Sequence, residues 1–160
     1  MPAKLDQPSI LLVEDSANDV LLTEEALRHG KMARSLHVVS DGEAALDFLH
    51  GRGRYENAAR PDLVLLDLNL PRMGGIEVLE DMKRSPELRT IPVVALTTSD
   101  AEGDVLKAYH RHINAYVTKP LDVNEFIQTV RSVEEFFLKT ARRPRLRFGF
   151  DPLALPLSPG

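Results

Sequence analysis

The sequence predicts an α/β fold with a mostly parallel sheet and right-handed crossovers, built from about five strand–helix units. Three observations carry that prediction. Strand-like and helix-like segments alternate down the chain in about five units. Four apolar runs stop on polar residues: Ile10 to Val13 on Glu14-Asp15, Leu63 to Leu66 on Asp67, Val93 to Leu96 on Thr97-Thr98, and Ala115 to Val117 on Lys119-Pro120. Continuous apolar runs of this length suit parallel strands buried on both faces. Finally, 160 residues at 43% hydrophobic make one domain with a real core and leave little room for a second.

Taken in order, the first strand, Ile10 to Val13, leads into a helix carrying Val20, Leu21, Ala26 and Leu27, with Gly30 placed to end it. Leu36 to Val39 reads as the second strand. In Ser40-Asp41-Gly42-Glu43, Ser40 has an acidic residue three places on, a capping signal for a helix carrying Ala45, Leu46 and Leu49. Residues 51–61 are polar, with two glycines and with Arg52, Arg54 and Arg60, and predict a long surface loop projecting from the fold.

After the third strand, Leu70-Pro71-Arg72-Met73-Gly74-Gly75 is a turn, and Ile76, Val78, Leu79 and Met82 form a helix face. Ser99 with Glu102 caps a helix reaching His110 or Arg111, and Asp122 with Glu125 caps the last one. That last helix repeats Val123, Phe126, Ile127, Val130, Val133 and Phe137 as an amphipathic stripe. The organisation expected is a lead over residues 1–8, one domain over 9–138 and a tail over 139–160 with no separate output domain. The tail is basic through Arg142, Arg143, Arg145 and Arg147, then apolar at Phe148, Phe150, Leu153, Leu155 and Leu157. It reads as a disordered or surface-packed extension, or more sharply as an arm onto a partner.

A net charge of -4 argues against binding nucleic acid or anionic membrane through overall charge. Without cysteine there are no disulfides or thiolate metal sites. No stretch resembles a signal peptide or a membrane span, so a soluble cytoplasmic protein is expected.

If the runs are neighbouring parallel strands, their polar ends share one edge of the sheet, where such folds bind ligands. Glu14, Asp15 and Asp67 would then crowd together, and carboxylates in such proximity need a compensating cation. Mg2+, a hard ion that takes oxygen ligands, is the natural candidate. Singly, each acid reads as an ordinary turn charge. A carboxylate can also attack phosphorus, and Asp67 on the central run is the expected nucleophile. Lys119 would neutralise the transferring phosphoryl oxygens and Thr97 would donate its hydroxyl to them. A cis bond between Lys119 and Pro120 could aim the ammonium inward. The ordinary readings are a surface lysine and a strand-end threonine.

The set Glu14-Asp15, Asp67, Thr97 and Lys119-Pro120, with Asp67-Leu68-Asn69-Leu70-Pro71 leading to Gly74-Gly75, resembles the receiver domain of two-component response regulators over roughly residues 8 to 138. The resemblance implies a flavodoxin-like fold, a doubly wound parallel five-stranded sheet in the order 2-1-3-4-5 with about five helices. It implies that Asp67 accepts phosphate from a histidine kinase, and that Glu14, Asp15, Asp67 and the Asn69 backbone carbonyl serve Mg2+, Glu14 through metal-bound water. It also implies a switch in which Thr97 moves toward the phosphoryl group and Tyr116 turns inward; the ordinary reading of Tyr116 is a strand residue with its hydroxyl at the surface. The sequence departs from many receivers at Glu14, where Asp is common, and at Thr98 and Gly75.

The stretch from Gly51 through Asp62-Leu63, with Asp67 to Arg72 and Leu96 to Ser99, is similar to single-domain regulators that partner phytochrome kinases. That narrower resemblance implies a light-sensing histidine kinase as phosphodonor and a homodimer through the last helices and strand, with the tail. The expectation is therefore a phosphoacceptor switch and not an enzyme acting on a separate substrate. A phosphate sink is one alternative. An aspartate-nucleophile phosphohydrolase is another, but haloacid-dehalogenase-type phosphatases need a second aspartate where this chain has Asn69. A flavin or nucleotide module is disfavoured because Glu14-Asp15-Ser16-Ala17-Asn18 lacks glycine and repels phosphate. Direct DNA binding is not expected, since residues 139–160 cannot form a helix-turn-helix domain.

Overall fold

The computed structural model describes residues 7–30 and 35–144. Five strands, β1 (Ser9–Val13), β2 (Ser35–Val39), β3 (Leu63–Leu66), β4 (Val93–Thr97) and β5 (Ala115–Thr118), pair in parallel in the order β2-β1-β3-β4-β5. The crossovers are α1 (Ala17–Arg28), α2 (Gly42–His50), α3 (Gly75–Arg84) and α4 (Glu102–His110), and α5 (Val123–Glu135) closes the fold before a π turn at Phe136–Thr140. The fold class and strand order expected from the sequence are the ones found.

Alternation along the strands builds two cores. Leu11, Val13, Val64, Leu66, Val93 and Ala95 pack on one face with Leu46 and Leu49 of α2, Leu79 and Met82 of α3, and Ala108 of α4. Ile10, Leu12, Leu63, Leu65, Val94 and Leu96 pack on the other with Leu27 of α1 and Phe126 and Val130 of α5. β3 and β4 are buried along their whole length, whereas β5, at the sheet's edge, is only half-buried. Burial on both faces is why these strands read as unbroken apolar runs.

Several local expectations are corrected. Leu21 is 63% exposed, and Leu22 is the residue that packs inward. Asp41, not Ser40, caps α2 by accepting from the Ala44 N–H, because its carboxylate is the one in reach of the third helical residue. α4 starts after Ala101 without a side-chain cap; the Ser99 hydroxyl lies two residues ahead of that position, where it donates to Asp104 and accepts from the Ala101 N–H. Asp122 does cap α5, accepting from the Glu125 N–H. Residues 51–61 pack down instead of projecting. A short 3-10 turn at Gly53–Tyr55 buries Tyr55 edge-on to Phe48, and Arg60 donates to the Glu87 carbonyl and to Thr90. The first tail residues also lie on the surface, with Arg143 paired to Asp62 at 2.9 Å. The apolar tail positions Phe148, Phe150, Leu153, Leu155 and Leu157 lie outside the described residues, as does most of the N-terminal lead.

Close approach, not backbone conformation, demands glycine at position 75. A Cβ there would lie 2.5 Å from the Asp67 carbonyl oxygen and 2.6 Å from the Leu68 Cα, both backbone atoms that cannot swing aside. Gly75→Ala should therefore displace the turn after β3 and destabilise the fold by about 2 kcal/mol, read as a lower urea midpoint at unchanged m-value.

Candidate functional site

The carboxyl edge of the sheet gathers the polar strand ends. Three backbone bonds extend the ladder past the strands and fix these residues: Glu14 N–H donates to the Val39 carbonyl at 3.0 Å, Asp67 N–H to Val13 at 3.0 Å, and Lys119 N–H to Thr97 at 2.7 Å. Glu14 is 3% exposed, Asp67 6%, Lys119 8% and Thr97 fully buried, so this is a sunken site and not a ring of surface charges. Asp15, at its rim, is exposed.

The Lys119 ammonium is the hub. It donates to Glu14 Oε2 at 2.6 Å, Asp19 Oδ2 at 2.8 Å and Asp67 Oδ2 at 3.1 Å, using all of its N–H groups. The remaining oxygens are held locally, Glu14 Oε1 by the Ser16 N–H at 3.0 Å and Asp67 Oδ1 by the Asn69 N–H at 2.9 Å. No peptide bond is cis among the described residues, so the carboxylates, and not a cis Lys119–Pro120 bond, aim the lysine. Burial alone would push its pKa down, but the hydrogen bonds to Asp19 and Glu14 and the charge of Asp67 outweigh it and hold it above the ordinary lysine value.

Glu14, Asp15 and Asp67 each offer an oxygen, and these lie within 4.8 Å of one another. The donor set is all carboxylate, and with Asp19 it puts four acidic groups against one ammonium. Such an arrangement fits a hard divalent cation, which would restore the charge balance. Burial pushes the Glu14 carboxyl from 4.5 up to about 7; Lys119 and the Ser16 N–H oppose this and the Asp67 charge adds to it.

Of the other residues expected here, Thr97 Oγ1 accepts from Asn69 Nδ2 at 3.3 Å, so the threonine is coupled to the turn that holds Asp67. The Tyr116 hydroxyl is not free at the surface: it donates to the Ser99 carbonyl at 2.7 Å, in the connection between β4 and α4. Sequence reasoning missed two features. Asp19, on the first turn of α1, reads in Ser16-Ala17-Asn18-Asp19 as a capping acid, and nothing local ties it to a lysine a hundred positions away. Asn69 was expected to act only through its carbonyl, whereas its N–H and side-chain amide bridge Asp67 and Thr97.

A model described as the response regulator receiver domain matches residues 10–131. The chain belongs to that family. Response regulator Rcp1 of Synechocystis sp. is 46% identical over 135 residues, covering 84% of this chain and 92% of that protein. Among solved structures, this receiver domain is similar to the phosphorylated cyanobacterial phytochrome response regulator RcpA, with TM-score 0.84 and 44% identity over 86% of this chain and 99% of that one. It is also similar to the Mn2+-bound form of Rcp1, with TM-score 0.82 and 45% identity over 86% of this chain and 99% of that one. Among the described residues, no helix is long and apolar enough to cross a membrane.

The raised Glu14 pKa has a definite sign. In metal-free protein the folded state binds a proton at Glu14 that the unfolded state has released, so this contribution to stability is complete below about pH 4.5 and is lost as pH rises to about 7. Denaturant unfolding in chelator should show wild type losing stability over that window relative to Glu14→Gln, by at most about 1.4 kcal/mol per pH unit. A divalent cation held by these oxygens would displace the same proton, so Mg2+ affinity, measured by calorimetry, should weaken as pH falls below 7.

Proposed function

We propose that this receiver domain is a phosphoacceptor switch. Asp67 takes a phosphoryl group from a sensor histidine kinase of the phytochrome type, and a Mg2+-dependent change of surface carries the signal. The observation that carries this reading is the Lys119 ammonium 3.1 Å from Asp67 inside a cluster of oxygen donors.

In the transfer, a carboxylate oxygen of Asp67 attacks phosphorus, an O–P bond forms, the N–P bond of a phosphohistidine breaks, and its electron pair returns to the imidazole. Asn69 N–H and Lys119 hold the attacking carboxylate in one orientation, from Oδ1 and Oδ2 respectively. Lys119 then faces the new phosphoryl oxygens with its charge. Glu14, Asp15, Asp67 and the Asn69 carbonyl are the groups that would hold Mg2+. Once bound, the ion neutralises charge on the transferring group.

The phosphoryl group brings a charge of about −1.5 to −2 and new acceptors. The Thr97 hydroxyl, whose oxygen now accepts from Asn69, turns to donate to it. Ser99 lies two residues on and accepts from Tyr116, so a shift of Thr97 re-sets Tyr116 and the start of α4 together. Similarity to Rcp1 and RcpA, a cyanobacterial phytochrome response regulator by name, supports a phytochrome-type kinase as donor.

The exposed Leu106 and Tyr109 of α4, Val123 of α5 and Phe136 support a homodimer through the last helices, β5 and the tail. The protein acts through protein contacts in the cytoplasm, without direct DNA binding and without turning over a separate substrate. A phosphate sink would use the same chemistry. A phosphohydrolase is disfavoured because the side chain at position 69 is an amide, which is no general acid for a leaving group, where such an enzyme needs a carboxylic acid.

Beryllofluoride with Mg2+ should shift the amide resonances of Thr97, Ser99 and Tyr116 in wild type and leave Asp67→Asn unchanged; an unresponsive wild type would overturn the reading. Light scattering should find a dimer of the full chain, and a monomer at high concentration with and without beryllofluoride would dispose of that part.

A further inference from the structure

The Lys119 ammonium has three N–H groups, and three carboxylates occupy them. A phosphoryl oxygen on Asp67 must therefore win a donor already in use. The bond to Glu14 is the shortest, at 2.6 Å, and is buried on both sides. The bond to Asp67 is the longest, at 3.1 Å, so the ammonium sits back toward the other two carboxylates. Asp19 differs from both: its side chain is 22% exposed, it lies on α1 and not at a strand end, and it is outside the Glu14–Asp15–Asp67 donor set. Water can take over its lone pair when the ammonium leaves.

The geometry points to Asp19 as a positioning residue that tethers the Lys119 ammonium toward α1 in the resting state and so sets how tightly a phosphoryl oxygen on Asp67 is held. This rests on the phosphoacceptor reading and adds its regulation. Two effects act in the same direction: the tether commits a donor, and the Asp19 charge repels an incoming anion. Neither touches the reacting atoms directly.

The test is calorimetry on the full chain, with Mg2+ alone and with beryllofluoride at saturating Mg2+. Asp19→Asn keeps the side-chain shape and the Ser16 cap on the residue 19 N–H. It should bind beryllofluoride about fivefold more tightly, the size expected for one charge-assisted contact on a partly exposed carboxylate. Mg2+ alone should bind it no more tightly than wild type. Asp19→Ser should move the same way, and Asp19→Glu, which restores the charge, should return toward wild type. A loosened site would weaken both ligands together, so anion affinity that is unchanged or weaker in both neutral variants overturns the proposal. Failure of wild type itself to bind beryllofluoride sinks the phosphoacceptor reading first, and is distinguishable for that reason.

Discussion

One ammonium set among four carboxylates is the interaction on which the rest of this structure depends. Glu14, Asp67 and Lys119 are all less than one-tenth exposed, and charges so placed persist only when paired and hydrogen-bonded. Lys119 reaches Glu14 on the first strand end, Asp67 on the third and Asp19 on the first helix, from its own position past the fifth strand. It therefore ties elements that are distant in sequence across the carboxyl edge. The pairing does not balance. Burial raises the Glu14 carboxyl to about 7 and the Asp67 charge adds to it, while the surplus of carboxylates makes the edge a place where a divalent cation is welcome.

The fold was legible because its physics is local and repetitive. Strands β1, β3 and β4 are buried on both faces, so each is an unbroken apolar run, and each run ends where the next residue must be polar to meet the edge. Glu14, Asp15, Asp67, Thr97 and Lys119 could be named for that reason. What could not be read depends on which distant atom arrives first. Ser40 and Asp41 are both competent caps, and only the backbone geometry at Asp41 decides between them. Leu21 and Leu22 differ by one helical step, and the packing against α5 selects the second. Residues 51–61 are polar in composition, yet Tyr55 and Arg60 fold them down through partners far along the chain.

Asn69 and Asp19 belong to the same class of hidden signal. Each has a sufficient local explanation, a turn residue and a helix-start acid, and neither explanation mentions the site. Their side chains are nevertheless what couple the site to its surroundings: Asn69 links the Asp67 turn to Thr97, and Asp19 links Lys119 to α1. Groups suited to chemistry are legible in a sequence because chemistry restricts residue type. Those that position them are not, because a hydrogen bond to a neighbour can be made by many residue types.

The distribution of burial also divides the site into a fixed side and a movable one. Glu14 and Asp67 extend β1 and β3, which lie inside the sheet with dense packing on both faces, and a close-packed interior resists displacement. Lys119 and Tyr116 extend or belong to β5, the edge strand, where burial is partial and one ladder of backbone bonds is missing. Thr97 stands at the boundary, fully buried itself but followed at once by the exposed Thr98. Charge added at Asp67 would thus meet a rigid wall on the β1 side and be accommodated toward β4 and β5. The lowest-cost adjustments are therefore a turn of the Thr97 hydroxyl, a shift of the Ser99 carbonyl that Tyr116 holds, and a tilt of the α4 start beyond it. The direction the proposed switch would take follows from where the sheet stops being buried, before any partner is considered.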